Sequence, residues 1–193
     1  MAFTNQETKE VHCKVLYCGP DGAGKRENLR SVYKKNADEY RSGLMELEDT
    51  GRAFRYFDFL PVSIGHVQGY HLKLHLFTFP SQCIFDTVSE IILRGVDGII
   101  YVADSRIEKL AANIEHLQEV RNVLTDHGYQ LSQLPGVIQY NKRDLDDISP
   151  VDILKQELNR GGHPEFEAIA SRSVGTLETL QAMAKQILMK MAP

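Results

Sequence analysis

The stretch Gly19-Pro20-Asp21-Gly22-Ala23-Gly24-Lys25-Arg26 constrains this chain more than any other. An apolar run, Val11 to Cys18, leads into it, and a helical pattern begins near Glu27. Strand, glycine loop and helix, in that order, are the context a phosphate-binding loop requires. Glycines let the backbone wrap closely so that its N–H groups point inward at an anion. The positive end of the following helix adds to that field. Lys25 completes the spacing G-x4-G-K and brings a mobile cation to the outer phosphates. The next position breaks the pattern. A hydroxyl there would ligate magnesium, but Arg26 has five N–H donors and no lone pair for a metal. Two readings of Arg26 stand: the side chain turns to solvent, or its cation replaces part of the metal's charge. A cation at a helix N-terminus is unfavourable by about 0.3–1 kcal/mol unless an anion lies nearby.

Around this loop, apolar runs alternate with helical patterns. Strands are predicted at Val11–Cys18, Phe54–Leu60, Tyr70–Thr78, Val96–Ala103, Leu134–Tyr140 and Phe166–Ala170. Tyr70–Thr78 alternates Leu72, Leu74 and Leu76 against His71, Lys73 and His75, a period of two. Pro61 to Gly69, with a proline and two glycines, reads as a turn, and Asn36 to Gly51 as a long connection. Helices are predicted from Lys25 to Lys35, Phe85 to Arg94, Ile107 to His127, Pro150 to Asn159 and Ser173 to Met191, with Asp104-Ser105 and Ser149 as caps. This order argues for an α/β fold, a mostly parallel six-stranded sheet flanked by helices. A length of 193 residues suits one domain, 1–193, and 42% hydrophobic with 25% charged residues is ordinary for a globular chain.

A net charge of −4 without a basic run disfavours nucleic acid as a partner. Cys13, Cys18 and Cys83 read as reduced thiols, with no metal-ligand spacing. His71 and His75 fall on one strand face and read as a surface pair, and no metal site is expected. No secretory leader, lipid-anchor signal or membrane span is recognisable, so a cytoplasmic location is expected.

Ligands in parallel sheets bind at the strands' carboxyl ends. Two further groups follow strand ends. Asn141-Lys142-Arg143-Asp144 is an N-K-x-D string. A carboxylate there can accept from both N1–H and the exocyclic amine of guanine, a donor pair adenine lacks. Asn141 would bridge base and loop, and the stem of Lys142 would lie over the ring; the plain alternative is a polar turn. Gln82 follows the third strand, where it either orients a water against a γ-phosphate or is an exposed glutamine at a helix start.

Together these features resemble the bacterial MglA-type small Ras-like GTPases, which set cell polarity and motility. The resemblance runs over nearly the whole length. Its markers are Gly19–Lys25, Asn28-Leu29, Phe57–Pro61, the Thr78-x-Pro80-x-Gln82 turn, Gly95–Gly98, Val102–Ser105 and Gln139–Leu145. It implies a Ras-like P-loop fold binding GTP or GDP through Gly19, Asp21, Gly22, Ala23, Gly24, Lys25, Arg26, Glu27, Asn141, Lys142, Asp144, Ser171 and Arg172. It also implies effector proteins docking on switch segments 39–57 and 78–89, a roadblock-type regulator, and recruitment to a cell pole. Several positions depart from the family pattern. Arg26 replaces the metal hydroxyl and Ser81 the turn glycine, while Arg52-Ala53-Phe54 stands where a catalytic arginine and a switch threonine are expected. Gln82 and Arg52 are the remaining catalytic candidates. An arginine finger contributes about 10³–10⁵ in rate, so weak or absent hydrolysis and impaired Mg2+ coordination are expected beside intact guanine recognition. The alternative is a nucleotide-free pseudo-GTPase serving as a protein-binding scaffold.

Overall fold

A computed structural model describes residues 3–35, 44–46, 58–67, 69–78, 92–130 and 133–191. Strands β1 (Phe3–Asn5), β2 (Glu10–Cys18), β3 (Met45–Glu46), β4 (Asp58–Val67), β5 (Tyr70–Thr78), β6 (Gly98–Asp104), β7 (Gly136–Asn141) and β8 (Glu165–Glu167) form one sheet. Its order is β3-β4-β5-β2-β6-β7-β8, with β1 antiparallel against β2. Strands β5, β2, β6, β7 and β8 run parallel, and β4 and β3 extend the sheet antiparallel. The six expected strands are all present in whole or part. Two short ones, β1 and β3, bring the described total to eight, because each needs only two or three ladder positions that periodicity does not reveal.

The buried centre of the sheet explains its sequence. Every residue of β6 and β7 is buried, and both strands carry helices on either face. On one face Val15, Tyr17, Leu74, Ile100 and Val102 pack with Leu29 and Val32 of α1 (Lys25–Lys35) and Leu180 and Met183 of the last helix. On the other face Leu16, Cys18, Tyr101 and Tyr140 meet Leu117, Val120 and Leu124 of α2 (Leu110–Asp126) and Leu154 of α3 (Val151–Leu158). The last helix, α4, spans Thr176–Met191; Met183 is core, whereas Met189 is exposed.

Five local expectations are corrected. Pro61–Gly69 is not a turn as a whole: β4 continues to Val67, paired with β5 through a bulge between Ser63 and Gly65. On the side away from β5, β4 is paired only at Asp58 and Phe59 among the described residues, and such an edge tolerates proline. Ala170 belongs to a 3-10 turn, Ala170–Arg172, and not to the preceding strand, because Asn141 captures its N–H. Ser149 does not cap α3: the cap position is Pro150, and the Ser149 N–H donates to the Ser105 carbonyl at 2.7 Å. Likewise α2 is entered through a 3-10 turn, Ile107–Lys109, without a side-chain cap. His75 stacks on His12, ring centroids 5.1 Å apart with Nε2 2.8 Å from His12 Nδ1, so its partner comes from β2 and not from His71.

Candidate functional site

The parallel order β2-β6-β7 places three strand ends side by side, and the polar loops leave from them. From β2 comes the glycine loop. Gly19, Gly22 and Gly24 have φ of 145°, 73° and 102°, values that favour glycine. A Cβ at Gly19 would overlap the Val102 carbonyl oxygen, and one at Gly24 would overlap the Asn141 side chain. At Gly22 nothing lies within reach, so the loop is open on that side. Ala23 is buried and its N–H donates to the Pro20 carbonyl at 3.2 Å. Lys25 Nζ folds over the loop, donating to the carbonyls of Gly19 at 2.6 Å and Pro20 at 3.1 Å. Asp21 is exposed, and Arg26 and Glu27 are partly buried in the first turn of α1. Glu27 is occupied by Arg30, 2.7 Å away. Positive-φ glycines before a helix N-terminus make a concave array of N–H groups, and a phosphate fits that array. Arg26 offers no lone pair to a metal, and no cluster of three or more His, Cys, Asp or Glu is found among the described residues.

From β7 comes the N-K-x-D string. Asn141 is buried and its amide is spent on protein: Nδ2 donates to the Ala23 carbonyl at 2.8 Å, and Oδ1 accepts from the Ala170 N–H at 2.9 Å. It is a strut between the glycine loop and the 170 turn, where the sequence suggested a bridge from base to loop. Lys142 takes φ of +67° and its Nζ donates to Asp104 Oδ2 at 2.7 Å. Asp144 is different. Its carboxylate is partly exposed, makes no hydrogen bond among the described residues, and has the Arg172 guanidinium 3.6 Å away. Arg172 is its ion-pair partner among the described residues. Ser171 and Arg172 are both exposed on the turn after β8, beside this carboxylate.

From β6 comes Asp104, fully buried and holding two cations, Lys142 and Arg106. Burial would raise its pKa, but hydrogen bonds from Arg106 and Lys142 outweigh that and hold it below the usual carboxylate range. Behind the loop, burial pushes the Cys18 thiol up to about 12, opposed by the Lys25 charge. His116 of α2 is buried against Tyr101 with neither ring nitrogen hydrogen-bonded, and burial, then the Lys25 charge, lower its pKa to about 4.

The glycine loop, Asn141, Lys142, Asp144, Ser171 and Arg172 thus gather at one end of the sheet. Gln82 and Arg52 lie outside the described residues, as do Ala53, Phe54 and Ser81 and most of segments 39–57 and 78–89. Sequence reasoning missed Ala170, which Asn141 holds, and the role of Asp104, which it took for a helix cap. A signal existed in Asn113, a polar residue on the apolar side of α2 that proves fully buried.

A G-x4-G-K loop between the first long strand and first helix, with N-K-x-D hung from a strand two places along, defines the Ras-like P-loop class of small GTPases. No protein-family model matches the chain. Over 188 residues it is 42% identical to the mutual gliding-motility protein MglA of Myxococcus xanthus (strain DK1622), across 97% of this chain and 96% of that one. The chain belongs to the MglA family of Ras-like small GTPases.

Proposed function

We propose that this protein is a guanine-nucleotide switch for gliding motility and cell polarity, with base recognition kept and metal-assisted hydrolysis weakened. The observation that carries the reading is Asp144: a partly exposed carboxylate with no hydrogen bond among the described residues and an ion-pair neighbour at 3.6 Å, on the loop from a strand end near the glycine loop. Two acceptors side by side suit the N1–H and 2-amino donors of guanine. The loop N–H groups and Lys25 would take the phosphates. At Arg26 the guanidinium supplies charge without a metal ligand, so GDP or GTP binding is expected to be indifferent to Mg2+. Segments 39–57 and 78–89 are the proposed effector surface, and a roadblock-type protein the proposed regulator. The working unit is proposed to be one domain, 1–193, acting in the cytoplasm and recruited to a pole by partners. No described helix is long and apolar enough to cross a membrane.

The test exchanges one atom type. Asp144→Asn turns one acceptor into a donor, which mismatches guanine's 2-amino group and matches the 2-carbonyl of xanthine. Fluorescent GDP should bind the wild type with and without Mg2+, and the variant should prefer xanthosine diphosphate. A variant that keeps its guanine preference would refute the assignment of Asp144. A second reading, the nucleotide-free scaffold, draws on Lys25, whose ammonium is already bonded to two carbonyls of its own loop. Wild-type protein showing no thermal shift with any guanine nucleotide would establish it instead.

A further inference from the structure

Lys142 and Asp144 stand two residues apart, one cationic and one anionic, and guanine needs the second of them without a close hydrogen bond; Arg172, at 3.6 Å, is an ion-pair neighbour of Asp144 and makes no hydrogen bond to it. The Lys142 ammonium is bonded to a third group, Asp104. Asp104, with no exposed surface, accepts from Lys142 Nζ at 2.7 Å. Its remaining capacity is filled by Arg106, through NH2 at 2.8 Å, Nε at 3.1 Å and the backbone N–H at 3.2 Å. The Asp104 backbone is itself fixed from behind. Asn113 of α2, also fully buried, accepts from the Asp104 N–H at 3.0 Å and donates to its carbonyl at 2.8 Å. Lys142 carries a left-handed φ of +67°, unfavourable for a residue with a Cβ, and persists where surrounding contacts over-determine it. The ion pair to Asp104 is one such contact.

We infer that Asp104 is a positioning residue of the base site: it holds the Lys142 ammonium away from Asp144, so that the Asp144 carboxylate stays open to guanine and the Lys142 stem walls the ring. The inference rests on the guanine reading above. Without Asp104, the Asp144 carboxylate two residues on would be a ready partner for the Lys142 ammonium, and guanine would have to break that pair.

The experiment measures release of fluorescent GDP from wild type, Asp104→Asn, Lys142→Met and the double variant, with melting curves on each. Methionine keeps an apolar stem and removes the charge. Asp104→Asn should speed release roughly 10-fold, as for groups coupled through one ion pair. The double variant should release GDP no faster than about threefold above Lys142→Met alone, because the competing ammonium is gone. Release from Asp104→Asn matching wild type overturns the inference, and so does a double variant as fast as Asp104→Asn, since the effect would then be structural. If Asp104→Asn fails to fold, Asp104→Ser takes its place in the same cycle: it removes the charge and keeps a small polar side chain, with the same two outcomes. Wild-type protein that binds no guanine nucleotide overturns the guanine reading and this inference together; wild-type binding with a failed cycle overturns this one alone.

Discussion

Burial of His116 lowers its pKa, and the effect on stability can be worked through. The imidazole is 4% exposed, lies 5.9 Å from the Tyr101 ring centre, and neither nitrogen has a partner. Burial, then the nearby Lys25 charge, carry its pKa from 6.5 to about 4. The folded state therefore binds this proton less readily than the unfolded chain. Stability is fully present above pH 6.5 and falls as pH drops from there toward 4, since the unfolded state takes up the proton first. The full effect, some 2.5 pKa units at 1.36 kcal/mol each, is about 3 kcal/mol. Between pH 7.5 and 5.0 about 2 kcal/mol of it should be lost. His75 and His163 are also lowered by burial and act in the same direction, so a reference variant is needed. His116→Phe keeps an aromatic ring beside Tyr101 and cannot titrate. Urea unfolding of both proteins at several pH values should show the wild type losing about 2 kcal/mol more than the variant by pH 5.0. At pH 7.5 the variant should be at least as stable, because two unpaired buried nitrogens, costing about 1–3 kcal/mol, have gone. Parallel stability curves for the two proteins would refute the reasoning.

Three further outcomes are expected. Gly24→Ala puts a Cβ into the Asn141 side chain at a φ of 102°, and should cost at least about 2 kcal/mol by thermal melting while removing nucleotide binding; a variant that melts and binds like wild type would count against the strut. Arg26→Thr restores a hydroxyl ligand, so its affinity for fluorescent GDP should become sensitive to EDTA by roughly 10-fold, an ordinary magnitude for a single charge-assisted contact; a wild type equally sensitive to EDTA would show that the arginine does not displace the metal. Leu74→Ala, at a fully buried site of β5, should lower stability by about 2–5 kcal/mol in urea, and a loss below about 1 kcal/mol would mean the core closes around the cavity.

Much of the fold is written in short-range pattern. Leu72, Leu74 and Leu76 are buried on alternating positions of β5 as their period of two requires, and the unbroken apolar run of β6 is buried on both faces. The glycine loop also announces itself locally, because a tight turn between strand and helix needs residues that accept positive φ. Where the local pattern misled, a distant partner had decided the matter. Pro61 and Gly65 look like a turn in isolation, yet β5 supplies a ladder that carries β4 through its bulge. Ala170 leaves the strand because Asn141 takes its N–H.

The amino-acid order alone determined the α/β alternation, the phosphate-type loop and the N-K-x-D string, since each rests on contacts between near neighbours. Only the tertiary structure decided that Asn141 spends its amide on Ala23, 118 residues away. It also decided that Asp104, 38 residues before Lys142, holds that lysine's charge. Such pairings depend on which strand ends the sheet sets side by side, and strand order is a property of the packed sheet that no window of sequence contains.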